Sequence, residues 1–252
     1  MKKIALVTGA TAGIGKATAQ LLARNNFDVI ITGRRNNLLA ELKTAIESET
    51  GAQVLPLCFD VQIYNEVVNA LESLPDRWKN TDVLINNAGL AAGLDFIQEG
   101  SLIDWEQMID TNVKGLLYIT RIVSGWMIPK KAGHIVNIGS IAGREVYEKG
   151  SVYCATKFAV DALSRGMRID LVSHNIKVTC IEPGMVNTEF SLVRFKGDRK
   201  RADKVYEGVT PLYAEDIAEA ILFAVTRPPH VNINEMLIMP TAQAAATIVH
   251  RE

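Results

Sequence analysis

An open, doubly wound parallel α/β sheet is the fold class that the sequence predicts, and three observations predict it. Short apolar, β-rich runs alternate with longer helical patterns from the first residues onward. Several of those runs are continuously apolar rather than alternating, as parallel strands covered on both faces require. A glycine-rich turn, Thr8-Gly9-Ala10-Thr11-Ala12-Gly13-Ile14-Gly15, stands between the first run and the first helical pattern.

The strands are expected, in order, at Ile4 to Thr8, Asp28 to Thr32, Val54 to Phe59, Val83 to Asn86, His134 to Ile138 and Lys177 to Ile181, with Met236 to Met239 as a seventh. Between them the spacing predicts helices around 14 to 25, 37 to 50, 63 to 73, 102 to 129, 152 to 173 and 215 to 226. Right-handed crossovers then place helices on both faces of one sheet. Ligands of such sheets bind outside the carboxyl ends of the strands. No linker, repeat or low-complexity segment divides the 252 residues, so 1–252 reads as a single domain. The basic stretch Arg194 to Lys204 is expected to belong to a substrate-side insertion near 187–210, above the sheet.

Composition narrows the function classes. At 48% hydrophobic and 22% charged the chain suits a soluble globular protein, and its net charge of -1 carries no signature of nucleic acid or of an anionic membrane. Cys58, Cys154 and Cys180 form no CxxC pair and read as reduced thiols. The four histidines show no metal-ligand spacing, so no metal is expected. The apolar run behind Met1-Lys2-Lys3 ends at Val7, too early for a signal peptide, and no stretch reaches the length of a membrane span. A cytoplasmic protein is expected.

The glycine turn has a physical use. Gly9, Gly13 and Gly15, with Thr11 and Ile14 between them, allow a tight strand-to-helix turn, close approach to a pyrophosphate and access to the free N–H groups of a helix end. At the end of the second strand, Thr32-Gly33-Arg34-Arg35 carries no acid for a ribose 2′-hydroxyl. A planar guanidinium fork suits a 2′-phosphate, so NADP is favoured over NAD. The plainer alternative, arginines that merely solvate a strand end, predicts no preference between the two.

Tyr153 and Lys157 fall at i and i+4 of the helix over 152 to 173 and project from one face. An ammonium beside a phenol favours phenolate, which suits a general acid/base. Ser140, from a neighbouring strand end, is placed to hold a carbonyl oxygen for the same proton. Tyr and Lys at this spacing also occur on ordinary solvated helix faces.

Taken together and in order, Thr8 to Gly15, Asn86-Asn87-Ala88-Gly89, Ser140, Tyr153xxxLys157 and Pro183-Gly184 resemble the short-chain dehydrogenase/reductase family over almost the whole chain. The resemblance implies a seven-stranded Rossmann-type sheet, a nicotinamide cofactor and a catalytic tetrad of Asn112, Ser140, Tyr153 and Lys157. Tyr153 looks like the acid/base and Ser140 like the hydroxyl that polarises the substrate oxygen. Lys157 would bind the nicotinamide ribose and lower the tyrosine pKa, and Asn112 would hold a water in the proton relay. Asp60 and Val61 look like adenine contacts, although Asp60 is equally placed to cap the following helix. Asn87, Ala88 and Gly89 would lie along the adenosine, and Pro183, Gly184, Val186 and Thr188 would border the nicotinamide.

The segments 187 to 198 and His230-Val231-Asn232-Ile233-Asn234 are similar to the NADP-dependent 3-hydroxy acid dehydrogenases. That likeness implies small substrates such as serine, allo-threonine or 3-hydroxypropionate, or reduction of the matching semialdehydes, and a homotetramer. A substrate carboxylate needs an opposing charge, for which Arg144 and Arg194 are the candidates. The rivals are a 3-oxoacyl-thioester reductase and, from another class, a catalytically silent NADP-sensing binding protein.

Overall fold

The computed structural model describes residues 2–252 and contains one seven-stranded, all-parallel sheet with strand order β3-β2-β1-β4-β5-β6-β7. Its strands are β1 (Lys3–Val7), β2 (Phe27–Gly33), β3 (Val54–Cys58), β4 (Val83–Asn86), β5 (Gly133–Ile138), β6 (Ile176–Pro183) and β7 (Glu235–Ile238). The helices are α1 (Gly13–Arg24), α2 (Asn36–Thr50), α3 (Tyr64–Glu72), α4 (Asp76–Lys79), α5 (Leu102–Ile109), α6 (Leu116–Lys130), α7 (Ser151–Leu171), α8 (Phe190–Arg194), α9 (Arg199–Lys204) and α10 (Ala214–Val225). The expected single-domain doubly wound sheet is found, with strand and helix ends displaced by a residue or two.

Continuous apolar strands make sense because successive side chains enter opposite layers. In β1, Leu6 joins one core with Ile30, Leu84 and Ile135, while its neighbours Ala5 and Val7 join the other with Val29, Ile31 and Ile85. The first layer is closed by Val67 and Leu71 of α3, Ile119 and Val123 of α6, and Val160 of α7. The second is closed by Leu22 of α1, Leu39 and Ile46 of α2, and Ile217 and Ile221 of α10. Each fully buried aliphatic side chain stabilises by about 1.5–3 kcal/mol, so both layers hold the strands in fixed register.

One expected helix is interrupted. The pattern over 102 to 129 predicts a continuous helix, but Asp110–Gly115 forms a π-helical turn between α5 and α6. Periodicity alone does not register one extra residue in a turn. The short α4, α8 and α9 lack the length to announce themselves as apolar periods. No helix among the described residues is long and apolar enough to cross a membrane.

The strand order reverses between β1 and β4, and the crevice at their carboxyl ends is where the glycine turn, the Asn86 loop and the end of β5 converge.

Candidate active site

The turn after β1 is tied to the end of β4. Thr8 Oγ1 accepts from the amides of Asn87 and Ala88 at 3.0 and 2.9 Å, and Asn87 Nδ2 donates to the carbonyls of Thr8 and Gly9 at 2.9 and 3.1 Å. Gly9 has φ +65°, and a Cβ there would lie 2.9 Å from the Ala88 Cα. At Gly15 a Cβ would meet Asn87 Nδ2 and the Gly9 carbonyl at 2.4 Å. Only glycine permits this cradle. It opens on the start of α1, which has no side-chain cap and no acidic residue in its first turn, so the helix end remains available to an anion.

A cleft of about 390 Å³ runs from this turn across the sheet ends. At one lip Arg34 Nη1 donates to Asp60 at 3.3 Å. Arg35 donates to Thr11 Oγ1 at 2.8 and 3.1 Å and to Glu189 at 3.0 Å. The strand end itself carries no acid, yet the fold brings two carboxylates to these arginines from distant segments. Exposed pairs of this kind are worth about 0–1 kcal/mol, so exchanging a carboxylate for a phosphate costs little. Cradle, open helix end and arginine lip together fit a dinucleotide with a 2′-phosphate.

The floor and far end of the cleft carry the proton-handling groups. Ser140, at the end of β5, caps a short 3₁₀ turn, its Oγ accepting from the Ala142 amide at 3.1 Å. That turn lies directly on α7 at Gly143, where a Cβ would stand 2.7 Å from the Lys157 carbonyl oxygen. Tyr153 and Lys157, one turn apart on α7, are both buried. Lys157 Nζ donates to the Ile138 carbonyl at 2.8 Å. Behind it, Asn112 in the π turn is held by three bonds: its Oδ1 accepts from the Leu90 amide, and its Nδ2 donates to the Leu90 carbonyl and to Thr156.

Burial governs the titration of this pair. It raises the Tyr153 pKa well above the usual phenol value, Tyr147 adds to the rise, and Ser140 and the Arg194 charge oppose it. Burial also pushes the Lys157 ammonium down to about 8. The expectation that Lys157 lowers the tyrosine pKa is therefore corrected. Its ammonium is 5.9 Å from the Tyr153 ring centre and engaged by Ile138, and desolvation is the largest influence on the phenol.

Most of the residues singled out in the sequence line this one cleft: Gly9, Thr11, Gly13 and Ile14 of the turn, Arg34, Arg35, Asp60 and Val61 at the lip, Asn87 to Gly89, Ser140, Tyr153, Lys157, and Pro183, Gly184, Val186 and Thr188. Gly15 and Asn112 stand just behind its wall. Arg194 lines a smaller cavity that shares Tyr153 with the cleft. Arg144 lines neither. It pairs with the buried Glu182 and with Glu235, the latter at 2.7 Å, and these carboxylates take up its guanidinium, which corrects its candidacy as a substrate clamp.

Sequence reasoning missed the apolar wall. Leu90, Phe190 and Val193 line the cleft, and the Phe190 ring packs on Tyr153 with centroids 5.6 Å apart. It also missed Gly93 and Tyr147, which hold Arg194. The Arg194 Nε donates to the Gly93 carbonyl at 3.2 Å, the Gly93 amide donates to the Arg194 carbonyl at 3.0 Å, and Arg194 Nη2 donates to the Tyr147 hydroxyl at 2.8 Å. No local pattern signals contacts that span 101 and 47 residues.

Comparison with known proteins gives this geometry relatives. Residues 3–198 match the family model described as short chain dehydrogenase. The NADP-dependent 3-hydroxy acid dehydrogenase YdfG of Salmonella typhi is 49% identical over 250 residues, 98% of this chain and 99% of that protein. The NADP-dependent 3-hydroxy acid dehydrogenase of Schizosaccharomyces pombe is 43% identical over 99% of this chain and 97% of its own. Among solved structures, a closed form of serine dehydrogenase complexed with NADP+ superposes with a TM-score of 0.92 at 46% identity, covering 99% of this chain and 100% of that one.

Proposed function

This chain belongs to the short chain dehydrogenase family, and from that premise we propose that it is an NADP-dependent oxidoreductase of small 3-hydroxy acids. Its substrates are serine, allo-threonine, 3-hydroxypropionate and similar acids, oxidised at the 3-hydroxyl carbon, or the matching semialdehydes, reduced there. The observation that carries the substrate class is the guanidinium of Arg194, 5.6 Å from the centre of the Tyr153 ring. A cation held beside the acid/base selects a substrate whose carboxylate lies close to its reacting carbon. The names of the relatives support the same class.

When bound in this cleft, the nicotinamide would supply the hydride acceptor or donor. The glycine cradle and the open end of α1 hold the pyrophosphate, and Arg34 and Arg35 hold the 2′-phosphate. Asp60 and Val61 border the adenine, and Pro183 to Thr188 border the nicotinamide. Tyr153 takes the hydroxyl proton in oxidation and returns it in reduction. Ser140 hydrogen-bonds the substrate oxygen and steadies the negative charge that develops there. Lys157 reaches the cofactor ribose from beneath Tyr153. Asn112 has both amide protons engaged and one lone pair left on Oδ1, which seats a water in the proton relay.

Leu90, Phe190 and Val193 shield this chemistry from solvent and leave room for a short substrate. The segment near 187–210 is read as a substrate-side insertion of one domain, and the protein as a cytoplasmic homotetramer. Exposed apolar residues on α5 and α7, Ile103 and Ile169 foremost, support the assembly.

A spectrophotometric panel tests the assignment: purified protein with NADP or NAD and serine, allo-threonine, 3-hydroxypropionate, 3-hydroxyisobutyrate or an acyl thioester. Turnover of the hydroxy acids with NADP is expected. Turnover of the thioester alone would overturn the substrate class, and silence toward every substrate would favour the binding-protein alternative.

A further inference from the structure

Tyr147 lines neither the cleft nor the smaller cavity beside it, and the proposed proton transfer does not pass through it. It lies in the loop between the 3₁₀ turn after Ser140 and the start of α7, where its carbonyl accepts from the Gly150 amide at 3.1 Å. Gly150 is packed so tightly on the Tyr147 ring that a Cβ there would lie 2.2 Å from the ring edge. The ring is thus fixed from behind by the chain that begins the catalytic helix. Its hydroxyl accepts from Arg194 Nη2 at 2.8 Å, and the Arg194 guanidinium stands 5.4 Å from the Tyr147 ring centre and 5.6 Å from that of Tyr153.

From this arrangement we infer that Tyr147 is a positioning residue for the anionic end of the substrate: it aims the Arg194 guanidinium at the space beside Tyr153. The inference rests on the hydroxy-acid reading of the site. Arg194 comes from α8, on a segment of short helices, and a long side chain there loses rotamer freedom when it is fixed. Gly93 holds Nε and Tyr147 holds Nη2, which leaves Nη1 without a side-chain or backbone acceptor to bind a carboxylate oxygen. The two aromatic rings add cation–π attraction that confines the guanidinium plane. Burial keeps the Tyr147 phenol above its usual pKa, so its oxygen stays neutral and does not compete with the substrate as a counterion.

The test is Tyr147→Phe, which keeps the ring against Gly150 and removes only the acceptor. The ratio of kcat/KM for a 3-hydroxy acid to that for a short uncharged alcohol should fall by about 10-fold, through KM rather than kcat. Adding Tyr147→Phe to Arg194→Ala should lower that ratio no further, because both act through one guanidinium. An unchanged ratio in Tyr147→Phe, or a full additional loss in the double variant, would overturn the inference. A wild type that ignores hydroxy acids would instead overturn the substrate class, before either variant is made.

Discussion

Lys157 donates to the carbonyl of Ile138, 2.8 Å away, and not to the Tyr153 hydroxyl. Its charge is buried, and burial brings its pKa from 10.5 down to about 8. A lysine depressed in the folded state binds fewer protons than in the unfolded chain between those values, so stability rises with pH there. That contribution is complete above 10.5 and lost as pH falls to 8. Tyr153, raised above its usual 10, acts in the opposite sense from that pH upward, and the buried thiols Cys154 and Cys180, raised from 9.0, do so from about pH 9. The Lys157 contribution is therefore read as a difference from a Lys157 variant that keeps those groups. Urea unfolding at pH 7.5, 8.5 and 9.5 should show wild type gaining on the order of 2 kcal/mol relative to Lys157→Met. Parallel curves for the two proteins would contradict the burial argument.

Tyr153→Phe removes one hydroxyl and leaves the ring packed at a tilt against Phe190. The expected loss in kcat is at least ~10²-fold, the scale of general acid/base catalysis. NADP affinity, measured by quenching of protein fluorescence, should change little. Near-normal turnover would take Tyr153 out of the proton-transfer role.

Arg34 pairs with Asp60 and Arg35 with Glu189, and in the proposed function both would exchange these carboxylates for the 2′-phosphate. In Arg34→Ala/Arg35→Ala the preference for NADP over NAD, as a ratio of kcat/KM, should drop by about 100-fold, equivalent to two charge-assisted hydrogen-bond sets. The NAD rate itself should be nearly preserved. Equal use of both cofactors by the wild type would sink the assignment.

Arg194→Ala removes the cation next to Tyr153. KM for a 3-hydroxy acid should rise by about 10-fold or more, with a far smaller change for an uncharged alcohol. If both substrates suffer alike, Arg194 is a structural strut and not a carboxylate clamp.

Ile103 on α5 and Ile169 on α7 are 77% and 76% exposed, an unusual placement for isoleucine. Light scattering should give the mass of four chains for the wild type and a smaller species for Ile103→Glu/Ile169→Glu. A monomeric wild type would remove the tetramer from the proposal.

The sheet and the cofactor cleft were legible because both are written locally. Continuous apolar runs mark strands covered on two faces, and the turn from Gly9 to Gly15 marks itself in eight residues. The far side of Tyr153 was not legible, for a geometric reason. Arg194 and Arg144 are both arginines near a basic or catalytic stretch, and nothing in their neighbours distinguishes them. What separates them is Glu182, buried at the end of β6, and Glu235 on β7, which claim Arg144 through pairing across the sheet. The partners of Arg194, Gly93 and Tyr147, arrive from loops equally remote in the chain. The raised pKa of Tyr153 leaves no trace in the sequence, because helical spacing reports a neighbouring charge and says nothing of desolvation.

The π turn at Asp110–Gly115 sets the phase of everything that follows it. One residue advances an α-helix by about 100°, and a π turn absorbs one such step. The turn itself places Asn112 on Leu90, and the phase downstream of it places Leu116, Ile119 and Val123 in the core. Loss of a single codon anywhere in this turn would let the helix run straight and put these two halves out of gear. The reading frame of the gene could survive that deletion, and the coupling between core and catalytic floor would not.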